Sequence, residues 1–238
     1  IIKGDCVEIS IKHSAHIYEL IEKWNEINNI RYYKDIKKEH RKWNKNGTTT
    51  YDMQCVILGK TGYGKSTLLN KIIGKDVFET SAIDSTTLKM QCADWLIDSN
   101  NNYYFSIADF PGIGQNSKID EKYLEWYKQM LEKSDCILYL LRADTREYSI
   151  DINTINNLEM DKSKLILGLN FCDKIEPITR SITSGLTEKQ LVNLEGKINA
   201  ISKSFKIAKS NILPFSADTM WQIDKLIKKI VGTITCNN

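Results

Sequence analysis

An α/β domain built on a mostly parallel sheet is the fold this sequence predicts, and three observations predict it. Beyond residue 50, short apolar runs alternate with stretches of helical periodicity. One such run, Val56-Ile57-Leu58, leads directly into Gly59-Lys60-Thr61-Gly62-Tyr63-Gly64-Lys65-Ser66-Thr67 and then into a helical pattern. Two later runs, 136–141 and 165–169, are almost wholly apolar, as strands covered on both faces must be. The expected architecture is a mixed six-stranded sheet with helices on both faces over residues 51–238, preceded by a helical extension over residues 1–50.

Each element has its own signal. Residues 1–12 alternate only faintly. From 14 to 46 the pattern is helical, with Ile17, Leu20, Ile21, Trp24 and Ile27 on one face. Its second part, 31–45, interleaves Lys and Arg with Tyr32, Tyr33 and Trp43. That composition suits a basic surface for RNA or an anionic membrane, though more often it marks a solvated helix face with its aromatics packed on a neighbouring domain. Gly47 and the threonines after it end the segment.

Residues 53–58 read as a strand and 65–73 as a helix. The runs 88–97 and 103–108 flank the polar turn Asp98-Ser99-Asn100-Asn101-Asn102 and read as a β-hairpin. An amphipathic helix over 119–132 carries Tyr123, Leu124, Tyr127 and Leu131 inward. A helix over 150–158 separates the strands 136–141 and 165–169. Leu191, Leu194, Ile198 and Ile201 mark a helix over 187–207. A last strand over 211–215 and a last helix over 219–231, with Ile223, Ile227 and Ile230 inward, complete the chain.

Composition narrows the function classes. A chain of 238 residues with 42% hydrophobic content supports a sizeable core. Its 33 basic and 30 acidic residues leave a net charge of +3, which gives no reason to expect DNA as a partner. Six cysteines, Cys6, Cys55, Cys92, Cys136, Cys172 and Cys236, form no CxxC pair, and buried free thiols in a reducing compartment account for them. His13, His16 and His40 have no metal-ligand spacing. No run of 18 apolar residues is present, no signal peptide is visible, and the cytoplasm is the expected location.

The loop after the first strand has the form GxxxxGKS. Its glycines let the backbone curl so that successive N–H groups face one anion, and the following helix points its positive end at the same place. Gly59, Thr61, Gly62, Tyr63, Gly64, Lys65, Ser66 and Thr67 are therefore the expected phosphate-binding set. Lys65 supplies a point charge for the β- and γ-phosphates, and Ser66 a hydroxyl for Mg²⁺.

Asp109-Phe110-Pro111-Gly112 follows the second hairpin strand. Asp109 at that strand end can hold Mg²⁺ through water opposite Ser66, and Gly112 can offer its N–H to the γ-phosphate. Between the first helix and the hairpin, Asp84-Ser85-Thr86-Thr87 forms a polar, irregular stretch. Thr87, directly before the strand, is the residue expected to reach both Mg²⁺ and the γ-phosphate. Lys65, Thr87 and Gly112 thus make the expected catalytic set, and Ser66, Thr87 and Asp109 the metal set.

Asn170-Phe171-Cys172-Asp173 follows the strand 165–169. A carboxylate there can accept both N1 and N2 donors of guanine, a pair that adenine lacks. Ser216-Ala217, after the last strand, can present a backbone N–H to guanine O6. Asn170, Cys172, Asp173, Ser216 and Ala217 are the expected base-binding set.

The segments GKTGYGKST, DSTT, DFPG, NFCD and SA stand in the order and context of the five GTPase motifs. Residues 51–231 resemble an Era-like P-loop GTPase of the TRAFAC class. The runs LYLLRADTREYSID and LNFCDKIEP resemble a YfjP-type bacterial group in particular. The phosphate loop and DFPGIG are also similar to immunity-related GTPases, GIMAP proteins and septins. The resemblance leaves the first fifty residues uncovered. It implies a G domain that binds GTP and GDP with Mg²⁺, hydrolyses GTP to GDP and phosphate, and acts as a nucleotide-dependent switch.

Departures from the family pattern carry expectations of their own. Phe171 stands where NKxD has lysine, whose stem lies along the base; an aromatic ring can stack there instead. Gly62 stands where potassium-activated relatives carry Asn. Ile113 occupies the place of the water-orienting Gln, so slow intrinsic hydrolysis is expected, with Gln115 and Asn116 as nearby polar groups. Arg142 and Arg146 are either arginine fingers, within the chain or across a homodimer at the nucleotide face, or local partners of Asp144 and Glu147. The alternative function is a GTP-dependent dimerisation or partner-binding module with negligible hydrolysis. An ATPase or kinase is a further rival, which Asp173 and Ser216-Ala217 oppose.

Overall fold

The computed structural model describes residues 5–9, 41–45, 48–73, 76, 91–98, 103–110, 117–178 and 185–236. Eight strands among them form one sheet: β1 (Asp5–Ile9), β2 (Arg41–Lys45), β3 (Thr48–Leu58), β4 (Gln91–Asp98), β5 (Tyr103–Asp109), β6 (Cys136–Arg142), β7 (Leu165–Asn170) and β8 (Ile212–Pro214). The helices are α1 (Lys65–Ile73), α2 (Ser117–Lys133), α3 (Ser149–Asn157), α4 (Glu188–Phe205) and α5 (Ile223–Cys236). The strand order is β1-β4-β5-β3-β6-β7-β8, with β2 paired to the first half of β3.

β3 pairs in parallel with both β5 and β6, and β6–β7 and β7–β8 continue the parallel run. The expected hairpin is β4–β5, antiparallel, with a register shift between Leu96 and Asp98. The six strands expected beyond residue 50 are β3 to β8.

The first fifty residues depart from the helical expectation. Asp5–Ile9 is a strand that pairs in parallel with β4, and Arg41–Lys45 is a strand that pairs antiparallel with β3. Lys45 faces Thr48, leaving the dipeptide Asn46-Gly47 between the paired strands. Asn-Gly between paired strands is the strongest short hairpin signal, and the run of basic residues drew the helical reading past it. The helical pattern over 14–40 and the three histidines lie outside the described residues.

Strands buried on both faces divide the core in two. Cys55, Ile57, Leu138, Leu140 and Ile166 pack with Leu68, Leu69 and Ile72 of α1 and Leu226, Ile227 and Ile230 of α5. Val56, Leu58, Ile137, Tyr139 and Leu165 point the other way, toward Tyr127 and Leu131 of α2, Ile155 of α3, and Leu194 and Ile201 of α4. Alternate residues of each strand thus feed opposite layers, which is why the strands read as unbroken apolar runs. Cys55, Cys136 and Cys172 are free and buried, as the cysteine spacing suggests.

The helix α4 begins on a capping box: Thr187 accepts from the Gln190 N–H while the Gln190 side chain accepts from the Thr187 N–H. α5 begins at Ile223 rather than 219. The residues before it form a tight turn, in which the Ser216 N–H donates to Trp221 O at 3.1 Å and the Thr219 N–H to Ser216 Oγ at 3.2 Å.

Candidate functional site

Because β3, β5, β6, β7 and β8 run in parallel, their carboxyl ends share one edge of the sheet. Open α/β sheets place ligands along that edge. The loop 59–64 leaves β3 there and enters α1 at Lys65. Gly59 adopts φ 145° and Gly64 φ 86°, backbone that L side chains seldom adopt. A Cβ on Gly59 would lie 2.9 Å from Leu140 O, and one on Gly64 would lie 2.5 Å from Asn170 Nδ2. The loop therefore hugs the ends of β6 and β7, and glycine is what lets it do so.

Lys65 curls over its own loop: Nζ donates to Gly59 O at 3.2 Å and Lys60 O at 3.5 Å. Burial lowers its pKa from the ordinary lysine value, and the nearby Asp109 charge opposes that shift. Ser66 Oγ donates to Asp109 Oδ2 at 2.9 Å. Two residues from separate motifs, 43 positions apart, are thus brought together. Burial pushes the Asp109 carboxyl up to about 6, with Lys65 and the Ser66 hydrogen bond pulling the other way. Its second oxygen, Oδ1, is buried with no hydrogen-bond partner among the described residues. An orphaned carboxylate oxygen beside a serine hydroxyl and a lysine fits a hard divalent cation next to phosphate.

The next residue, Phe110, is anchored. It stacks on Trp126 at 5.1 Å and meets Tyr127 at 5.5 Å, both on α2. Thr87 and Gly112 lie outside the described residues, as do Ile113, Gln115 and Asn116. Thr61 and Thr67 are half-buried in the loop and in the first turn of α1.

Asn170 is a buried tether. Its Nδ2 donates to Tyr63 O at 3.1 Å, and its Oδ1 accepts from the N–H groups of Phe171 at 2.8 Å and Ala217 at 3.0 Å. One side chain therefore fixes the phosphate loop, the NFCD turn and the Ser216-Ala217 turn to each other. Cys172 is fully buried: its N–H donates to Phe215 O and its Sγ to Leu169 O at 3.1 Å, and burial pushes the thiol up to about 12. It is a packing residue that supports the turn from behind. Asp173 Oδ1 is buried without a hydrogen-bond partner among the described residues.

Ser216 and Ala217 reach the same edge, but not with spare donors. The Ser216 N–H is taken by Trp221 O and the Ala217 N–H by Asn170 Oδ1. The expected donation to guanine O6 competes with these bonds.

Arg142, at the end of β6, makes a two-pronged pair with Asp144, Nε to Oδ1 at 2.9 Å and Nη2 to Oδ2 at 2.6 Å. Of the two readings open for this arginine, the structure has the local ion pair. The guanidinium beside Asp144 holds that carboxyl below the usual range. Arg146 is exposed.

A second cluster escaped sequence reasoning. Asp151 of α3 is fully buried and accepts from Lys60 Nζ at 2.9 Å, Tyr63 OH at 3.4 Å and Tyr139 OH at 3.0 Å. Two of these donors belong to the phosphate loop. Burial, and then the Asp151 charge, raises the pKa of both tyrosines. Burial works against the Lys60 charge, but Asp151 and Tyr63 raise its pKa by more. Lys60 and Tyr63 fill variable positions of the phosphate loop and Asp151 lies 88 positions beyond Tyr63, so only the fold reveals the cluster.

Comparisons with known proteins agree with this geometry. Residues 54–171 match a family described as 50S ribosome-binding GTPase. YkfA of Escherichia coli (strain K12) is 27% identical over 168 residues, covering 68% of this chain and 55% of that protein. YfjP of the same strain is 29% identical over 171 residues, again covering 68% and 55%. The chain thus spans about half the length of the curated relatives it matches. Among solved structures, Era in complex with MgGDPNP and nucleotides 1506–1542 of 16S ribosomal RNA is 28% identical, with a TM-score of 0.56 over 77% of this chain and 57% of that one. A phosphate loop between β3 and α1, a Ser66–Asp109 pair and a carboxylate at the end of β7, joined to these likenesses, place the chain among the Era-like P-loop GTPases.

Proposed function

We propose that the chain binds guanine nucleotide along the carboxyl edge of its sheet and hydrolyses GTP to GDP and phosphate as a nucleotide-dependent switch. The observation that carries this reading is the Ser66–Asp109 hydrogen bond with the orphaned Asp109 Oδ1 beside it. In the proposal, residues 51–238 are the G domain, and residues 1–50 are an extension whose strands β1 and β2 join its sheet. Lys65 and the loop N–H groups hold the phosphates, Gly112 meets the γ-phosphate, and Asp173 reads the guanine edge. Asn170 and Cys172 keep the base-reading turn in place. Ser66, Asp109 and Thr87 would hold Mg²⁺, which when bound neutralises phosphate charge.

Homodimerisation at the nucleotide face, contact of residues 31–45 with RNA or a membrane, and a cytoplasmic location complete the proposal. Among the described residues, no helix is long and apolar enough to cross a membrane.

Phosphate release measured over a range of protein concentration tests the reading. The expected turnover is roughly 10⁻⁴–10⁻² per second, the range of unassisted GTPases. A rate per molecule that rises with concentration supports hydrolysis assisted by a second copy. A zero rate at every concentration, with nucleotide bound, leaves the binding-module alternative.

Asp109 adds a pH dependence. Its carboxyl titrates near 6 in the free protein, above the ordinary 3.8, so below that pH it holds a proton that a cation must displace. Apparent Mg²⁺ affinity should be flat above pH 7 and fall by up to about tenfold per unit below 6. Magnesium titrations read by bound fluorescent GTP analogue, from pH 5 to 8, check this. A flat profile would mean that Asp109 does not serve the metal.

A further inference from the structure

We propose that Arg142 and Phe171 act as one unit that positions the base side of the nucleotide against the phosphate loop. In this unit Arg142 supplies the cation that is lost when phenylalanine stands at position 171.

Phe171 follows the end of β7 in left-handed backbone, φ 63°, with its N–H held by Asn170 Oδ1 at 2.8 Å. Its ring lies against the phosphate loop, 3.5 Å from where a Cβ on Gly64 would stand. The Arg142 guanidinium carbon sits 4.4 Å from the centre of that ring. Arg142 Nη1 meanwhile reaches Gly62 O at 3.4 Å. One guanidinium therefore touches the phosphate loop and the NFCD turn at once.

The planar fork is held from its far side by the two bonds to Asp144. An arginine fixed in this way loses little further freedom when a ligand arrives. Phenylalanine offers an apolar ring that can lie along a base, but it brings no charge and no donor to the loop. Arg142 provides both, from the neighbouring strand. Its side chain is 33% exposed, so it lies on the rim of the site rather than in the core. Lys174 also approaches the ring, at 4.6 Å. It is exposed, and its ammonium lacks the planar face that stacks on an aromatic ring. Arg142 is thus a positioning residue, acting through Phe171 and Gly62.

This inference rests on the proposed base site at Asp173. The test is a double-mutant cycle: fluorescent GDP titrated into the wild type, Arg142→Ala, Phe171→Lys and the double variant, with Asp173→Asn and Lys174→Ala alongside. Arg142→Ala should weaken GDP binding about tenfold in the Phe171 background, the scale of a cation–π contact with a charged hydrogen bond. In the Phe171→Lys background the same change should cost no more than about twofold, because the introduced lysine restores the cation. Lys174→Ala should cost no more than about twofold. Melting points without nucleotide should stay within about 2 °C of wild type.

Equal losses in both backgrounds would overturn the proposal. So would a fall in the nucleotide-free melting point large enough to explain the lost affinity. If Asp173→Asn leaves the preference for GDP unchanged, the base does not lie at this strand end, and the proposal falls together with the reading beneath it. An additive cycle with an intact Asp173→Asn switch removes the proposal alone.

Discussion

Asp173→Asn is expected to lower GDP affinity by about 10²–10⁴-fold and to turn the site toward xanthosine diphosphate. Guanine presents two donors on one edge, N1–H and N2–H, and a carboxylate accepts both. Asparagine replaces one acceptor with an NH₂ group, which then faces a donor. Xanthine carries an oxygen at that position and accepts from the new NH₂. The size of the loss follows from desolvation: a buried polar group left without its partner costs about 1–3 kcal/mol, and more when charge is involved. In the proposed site Asp173 Oδ1 would be available to the base, because it is buried and no protein donor satisfies it among the described residues. The turn that presents it is stiff: the 3₁₀ turn Cys172–Lys174 is held by the Cys172 N–H to Phe215 O and by Cys172 Sγ to Leu169 O. Competition of fluorescent GDP by GDP, ADP and xanthosine diphosphate, on wild type and variant, measures the switch. Equal competition by ADP and GDP on the wild type would show that Phe171 has removed base selectivity.

The central strands β3, β6 and β7 were legible because they are buried on both faces. Residues such as Leu138-Tyr139-Leu140-Leu141 feed two cores and have no polar face to confuse the period. The strand–loop–helix at 56–67 was legible for a different reason: glycine, lysine and serine at fixed spacing answer a backbone geometry that few other residues meet. β2 was misread because Arg41 and Lys42 beside Trp43 look like a helix face when taken alone, whereas Asn46-Gly47 carried the better signal. The roles of Ser216 and Ala217 were only half legible. Their position at the edge follows from β8, but whether their N–H groups are free depends on Asn170 and Trp221, 46 and 5 positions from Ser216. Contacts of that kind depend on how β7, β8 and the phosphate loop meet, and no local pattern encodes it. Arg142 shows the same limit, since its charge was visible in the sequence but its three partners, Asp144, Gly62 and Phe171, come together only in the fold.

Asp151→Ala should cost about 3 kcal/mol of stability and lower the melting point by about 6–12 °C, with a larger proportional loss of nucleotide affinity. Asp151 is fully buried and accepts from three donors, so its removal leaves Tyr139 and Tyr63 hydroxyls without their acceptor and Lys60 without its counter-charge. Lys60 is still one-fifth exposed and recovers part of its loss from water, which keeps the cost at the lower end for a broken buried pair. The effect on binding comes from where the donors sit. Lys60 and Tyr63 lie on either side of Thr61 and Gly62, so Asp151 pins both ends of the exposed tip of the phosphate loop to α3. Without it the loop must be ordered by the nucleotide itself, and binding then bears that entropy. Asp151→Asn separates charge from shape. It keeps one acceptor for Tyr139 and gives up the ion pair to Lys60, so its melting point should fall by less than that of the alanine variant while the loop still loosens. Thermal melts with and without GDP on wild type, Asp151→Ala and Asp151→Asn provide the measurement. A melting point for Asp151→Ala within about 1 °C of wild type would show that α3 does not hold the loop, and preorganisation would then rest on the contacts of Asn170, Lys65 and Arg142.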